Sequence, residues 1–206
     1  KNIFLIIFLI ISTILNGQTD NDKITLKKFN DKIITISYQN GYVFPTNDFV
    51  RGINNKNDII DAFQTFTLKL TKQTTGSKFW EQNYKYPEYG VGMSILDFYN
   101  PEEIGIPIAF FGYFSAPFIN HSRFIFSYEA GLGFAFNWKN YSPSNVYNNA
   151  IGAKQTAYID LGLKTAFRLT SSLYLDMGFS LSHFSNGRLK APNLGLNTIA
   201  PKFSLH

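Results

Sequence analysis

Phe124-Ile125-Phe126-Ser127-Tyr128-Glu129-Ala130-Gly131-Leu132-Gly133-Phe134-Ala135-Phe136 is the stretch whose reading decides the fold. Its even positions are Phe, Phe, Tyr, Ala, Leu, Phe and Phe, and its odd positions are Ile, Ser, Glu, Gly, Gly and Ala. Alternation with period two belongs to a β-strand, whose successive side chains point to opposite faces. One face is greasy, the other small or polar. Two later segments repeat the pattern. Ile159, Leu161, Leu163 and Phe167 oppose Asp160, Gly162, Lys164 and Arg168, and Leu173, Leu175, Met177, Phe179 and Leu181 oppose Tyr174, Asp176, Gly178 and Ser180. Each run is close to the roughly ten residues that a tilted strand needs to cross a bilayer.

Earlier segments follow the same rule less cleanly: Ile34, Ile36 and Tyr38; Phe66, Leu68 and Leu70; Val91, Met93 and Ile95. Ile104 to Ser115 reads as a further strand, with Pro107 at an edge or bulge because proline cannot donate to a ladder. With a last segment from Leu196 onward the count is about eight, the smallest common membrane barrel. Its lumen is narrow enough to be filled by side chains. A soluble sandwich or lipocalin-like barrel also alternates, but it puts its charges outside. Here Glu129, Asp160, Lys164, Arg168 and Asp176 share the face opposite the Phe and Leu stripe, which suits lipid outside and a polar lumen inside. The expected fold is therefore all-β, an eight-stranded antiparallel transmembrane β-barrel of the outer-membrane type. Thr170-Ser171 makes a tight turn, whereas 139–154 and 186–194 are long and rich in Asn, Ser, Gly and Pro, the outer-membrane pattern of short turns at one end and long loops at the other. The stretch from Gln73 to Glu88 breaks it, being long where a short turn is expected.

Composition agrees. Aromatic residues make up 17% of the 206 residues and charged residues only 16%, which favours a lipid-facing surface over a water-soluble one. The net charge of +5 fits anionic partners in general and singles out none. There is no cysteine, so disulfides, thiolate nucleophiles and lipoprotein attachment are excluded. Lys1 precedes a run from Ile3 to Leu15 that is apolar apart from Ser12 and Thr13. It is too short for a spanning helix and reads as a secretory signal over 1–17, followed by one barrel domain over 18–206.

The chemistry concentrates in His183-Phe184-Ser185-Asn186-Gly187-Arg188-Leu189-Lys190-Ala191-Pro192-Asn193-Leu194-Gly195-Leu196-Asn197. His183 and Ser185 are two positions apart and so share a strand face, the one bearing Leu175, Met177, Phe179 and Leu181. An imidazole and a hydroxyl at the end of a lipid-facing stripe are costly without partners. The returning strand carries Asn197, Ile199, Phe203 and Leu205 on the same face, and a hairpin can set Asn197 beside His183. Those three groups could form a nucleophile–base–orienter relay at the membrane edge. An interfacial polar collar is the competing reading, and the residues alone leave both open.

The run H-x-S-N-G-x-x-K-x-P-N-x-G closely resembles the active-site region of the outer-membrane lipid A 3-O-deacylases, the PagL family. The resemblance implies hydrolysis of the acyl ester at position 3 of lipid A, by a triad on the outer wall of an eight-stranded barrel in the bacterial outer membrane. It makes Ser185 the nucleophile and His183 the general base, with Asn186, Gly187 and Asn193 as candidates for steadying the oxyanion. The family's third triad member is Glu, and Asn197 stands at that position. Asparagine can orient an imidazole but cannot balance its charge. Lys78-Phe79-Trp80-Glu81-Gln82 with Pro87-Glu88-Tyr89-Gly90 is also similar to larger Bacteroidetes barrels described as acyloxyacyl hydrolases.

Arg188 and Lys190 follow the motif in an outward loop and are candidates to hold a lipid A phosphate, or simply basic residues of a solvated loop. Lipid A within lipopolysaccharide is the expected partner, with no nucleic acid, cofactor or metal. Phosphate-binding glycine loops, paired glycosidase-like carboxylates and clustered metal ligands are all missing from the sequence. His121, next to Ser122, reads as turn chemistry. A non-enzymatic adhesin-type or structural barrel, and an acyl hydrolase acting on phospholipid, are the alternatives.

Overall fold

The computed structural model describes residues 32–206, so the expected signal segment lies outside the described residues. Eight antiparallel strands, each paired with its sequence neighbours, close into a barrel when the first meets the last. They are β1 (Lys32–Val43), β2 (Ala62–Gln73), β3 (Glu88–Asp97), β4 (Gly105–Asn120), β5 (Phe124–Trp138), β6 (Thr156–Arg168), β7 (Tyr174–Ser185) and β8 (Leu196–Leu205). A five-residue helix, α1 (Phe79–Asn83), sits between β2 and β3. Closure removes every sheet edge, as backbone polar groups in lipid require. The register slips between Gly105 and Ile108, so Pro107 lies at the expected irregularity.

The inside-out assignment holds through the middle of the barrel, whereas Arg168, expected in the lumen, is exposed at the short-turn end of β6, where the strand leaves the closed sheet. Leu132, Phe134, Leu161, Phe179 and Leu181 are exposed on the outer wall, while Ser127, Glu129, Asp160, Asp176 and Ser180 are buried in the lumen. Glu129 accepts from both Lys69 and, at 2.6 Å, Lys202. Lys164 reaches Glu88 at 3.2 Å and Asp176 at 3.4 Å, while Asp160 accepts from Ser182 at 2.7 Å and from Ser180. Each lumen charge thus has a counter-charge or donor, which its burial demands.

The lumen is polar over only part of its height. Toward the long-loop end it becomes aromatic and apolar, because parity there turns Phe63, Phe98, Trp138, Tyr158, Phe184 and Leu196 inward. Phe184 stacks on Tyr158 with ring centroids 5.2 Å apart and meets Trp138 edge-on at 5.2 Å. The β1–β2 and β5–β6 loops close this end, contributing the fully buried Phe49 and Ile151. The expected polar lumen is thus confined to part of the barrel's height. Loops folded over the rim exclude water, so inward positions near it form an ordinary hydrophobic core.

Candidate active site on the outer barrel wall

Phe184 explains why its two neighbours point outward. Its ring is anchored in the core, so strand pleating drives His183 and Ser185 to the lipid side of β7. His183 pairs in register with Asn197 on β8 and with Ile159 on β6, and Ser185 pairs with Ala157. The pairing delivers His183 Nδ1 to 2.7 Å from Asn197 Oδ1. An amide oxygen can only accept, so this contact puts the ring proton on Nδ1 and leaves Nε2 with a free lone pair. The sequence-derived juxtaposition of these two residues is present.

Beyond β7 the chain turns back over its own end. Gly187 N–H donates to Ser185 Oγ at 3.1 Å, and Asn193 Nδ2 donates to the same oxygen at 2.7 Å. Asn193 is fixed in turn because its Oδ1 accepts from Asn186 N–H at 3.1 Å. Asn186 Nδ2 donates to the Lys190 carbonyl at 2.8 Å. The Asn186 backbone N–H and one of its side-chain N–H groups are therefore engaged within the protein, whereas Gly187 and Asn193 direct donors at the serine. Arg188 and Lys190 are exposed in the outward loop.

His183 and Ser185 both lie against Gly195. A Cβ built on Gly195 would come within 3.2 Å of His183 Cε1 and 3.8 Å of Ser185 Cβ. Its φ of +76° is the left-handed conformation that glycine adopts without penalty. Among the described residues no hydrogen bond joins the imidazole to Ser185 Oγ, a looseness common in ligand-free catalytic sites.

One shallow groove begins at this point on the outer wall, and a second adjoins it. The first, of about 380 Å³, has His183 and Asn197 at its head and is lined by Phe44, Ile159, Leu161 and Leu181. The second, of about 330 Å³, shares Leu161 and Leu181 with it and continues along Leu163, Phe179 and Ile199. Sequence reasoning missed the part played by the other loops. Phe44 N–H donates to the Asn197 carbonyl at 2.9 Å, and Gly195 N–H donates to the Ala150 carbonyl at 2.9 Å. Buried Asn47 donates to the Gly195 carbonyl at 3.0 Å. Nothing in local sequence marks these residues, because their roles depend on how separate loops dock.

Comparison with known proteins bears on the family and the barrel fold. The family model for lipid A 3-O-deacylase (PagL) matches residues 64–206, a span that contains His183, Ser185 and Asn197. Among solved structures, the outer membrane enzyme PagL superposes with a TM-score of 0.53 at 18% identity, covering 82% of this chain and 97% of that one. Neisserial surface protein A (NspA) superposes equally well, with a TM-score of 0.53 at 7% identity, covering 85% of this chain and 96% of that one. At such identities both likenesses speak for the barrel fold alone. No curated protein sequence matches the chain.

Proposed function

Since the chain belongs to the lipid A 3-O-deacylase (PagL) family, an outer-membrane family, we propose that it hydrolyses an ester-linked acyl chain of lipid A with Ser185 as nucleophile and His183 as general base. The observation that carries this reading is the 2.7 Å contact between His183 Nδ1 and Asn197 Oδ1, made beside Ser185 at the head of a lipid-facing groove.

In this mechanism His183 Nε2 takes the proton of Ser185 as Oγ attacks the ester carbonyl. A tetrahedral intermediate forms, and His183 returns the proton to the departing sugar oxygen. Water then enters with His183 again as base, releasing the fatty acid and restoring the serine. Gly187 N–H and Asn193 Nδ2 donate to Ser185 Oγ in the resting site. When Oγ bonds to the ester carbon, the oxyanion develops on the adjoining oxygen, and these two groups, released from Oγ, are the donors assigned to it. Asn186 serves as a positioning residue that holds Asn193. Asn197 fixes the tautomer and tilt of His183 without contributing a charge.

Groove and loop have different tasks. An acyl chain that leaves lipid for the groove exchanges one apolar surrounding for another, so the groove gains little binding energy and mainly aligns the ester with Ser185. Recognition of lipid A over other lipids is assigned to its phosphates, which Arg188 and Lys190 in the outward loop can meet.

The test is mass spectrometry of lipid A from cells expressing the protein, beside cells expressing Ser185→Ala. Loss of one hydroxyacyl mass that depends on the serine is the expected result. Unchanged lipid A with the intact, folded protein overturns the proposal, and acyl loss from phospholipid instead reassigns the substrate.

A further inference from the structure

The long β2–β3 connection is built around Glu81, its buried acidic residue. The Glu81 carboxylate accepts from Gly76 N–H at 2.9 Å, Ser77 Oγ at 3.3 Å and Lys78 N–H at 3.4 Å. Gln82 Nε2 donates to the Gly76 carbonyl at 2.7 Å, and Gln73 Nε2 donates to the Tyr86 carbonyl at 2.8 Å. These bonds turn the polar groups inward and leave an apolar and cationic exterior. Phe79 is 79% exposed, Trp80, Tyr84 and Tyr86 are exposed, and so are Lys72, Lys78 and Lys85.

The connection does not hang free below the barrel. The Trp80 ring lies 6.4 Å from Tyr89, an outward-facing residue of β3, and the Tyr84 ring meets Phe114 of β4 edge-on at 5.7 Å. Lys85 Nζ donates to the Phe118 carbonyl at 2.7 Å. The helix thus lies against the lipid-facing wall, at the end of the barrel opposite the catalytic loops. Its aromatic rings continue the surface that already faces the bilayer.

We infer that α1 and its flanking residues form an interfacial anchor, seating Phe79 and Trp80 at the headgroup level of the periplasmic leaflet with Lys72, Lys78 and Lys85 against anionic phospholipid headgroups. Three observations choose lipid as the occupant. The patch is continuous with the membrane-facing wall, its only acidic side chain is withdrawn, and it mixes amphipathic aromatics with cations as interfacial belts do. The anchor also fixes the vertical position of the barrel, and so the depth at which Ser185 sits relative to the ester layer.

The chain has two tryptophans, Trp80 and the buried Trp138, which makes the test direct. The full barrel is reconstituted in phosphatidylcholine–phosphatidylglycerol vesicles carrying bromines either near the headgroup or deep in the acyl chains. The Trp80 emission is read as the difference between the wild type and Trp80→Phe. Blue-shifted Trp80 emission, lost more to shallow than to deep bromines, is the expected result. Emission that is lost to aqueous iodide and spared by both brominated lipids overturns the anchor, and so does stronger quenching by the deep bromines. Tyr84→Ala keeps the experiment decisive if Trp80→Phe disturbs folding, because undocking the helix must reduce the shallow quenching.

Discussion

His183 Nδ1 lies 2.7 Å from Asn197 Oδ1, two residues of neighbouring strands that face lipid together. In a serine protease, exchanging the orienting aspartate for asparagine costs about ten-thousandfold, because the imidazole is held in the wrong tautomer. Here the oxygen of Asn197 faces Nδ1, so the tautomer is retained and only the charge is absent. Asn197→Glu should therefore raise kcat by less than that factor. Asn197→Ala should forfeit part of the ~10²–10⁴-fold that a positioned base contributes. Deacylation rates on detergent-dispersed lipopolysaccharide check both, and a fall in Asn197→Glu would show that the asparagine has another task.

Ser185→Ala should abolish acyl release and leave a folded barrel. The serine hydroxyl accepts from Gly187 and Asn193 but anchors nothing in the core. Heat modifiability on gels reads folding separately from activity.

Asn193→Ala removes a donor aimed at Ser185 and should lower kcat by about 10²–10³-fold with KM little changed, the usual cost of one oxyanion donor. Asn186→Ala keeps the backbone N–H that holds Asn193 and removes only the side-chain bond to the Lys190 carbonyl, so it should cost less. Steady-state kinetics on the two variants separates the roles, and equal losses would argue against it.

Gly195→Ala should impair catalysis. A methyl group would press to 3.0 Å from the Phe184 carbonyl and 3.2 Å from His183 Cε1, at a φ of +76°. The backbone penalty is about 1–2 kcal/mol, which a barrel of this size tolerates, whereas the imidazole must move. Activity should fall further than the unfolding midpoint.

Glu129→Ala should destabilise the barrel while sparing the site geometry. Glu129 is the shared counter-charge of Lys69 and Lys202 in the lumen. Removing one side of a buried ion pair costs about 3–5 kcal/mol. Urea unfolding in lipid or detergent measures the loss.

The sequence by itself determined which residues face lipid and which face the lumen, because side-chain parity along a strand is a local property. From that came the barrel, its lipid-facing wall and the placement of His183 and Ser185 on one face. Hairpin logic added Asn197, since adjacent antiparallel strands pair from the turn outward. Tertiary structure decided the rest. Asn193 reaches Ser185 only because the β7–β8 loop folds back, and that loop is held by Asn47 and Ala150 from two other loops. The apolar upper lumen formed because those loops cap the rim, and α1 took its place by docking Trp80 and Tyr84 on strands β3 and β4. Contacts between residues distant in sequence depend on closing the barrel first, and no local pattern encodes them.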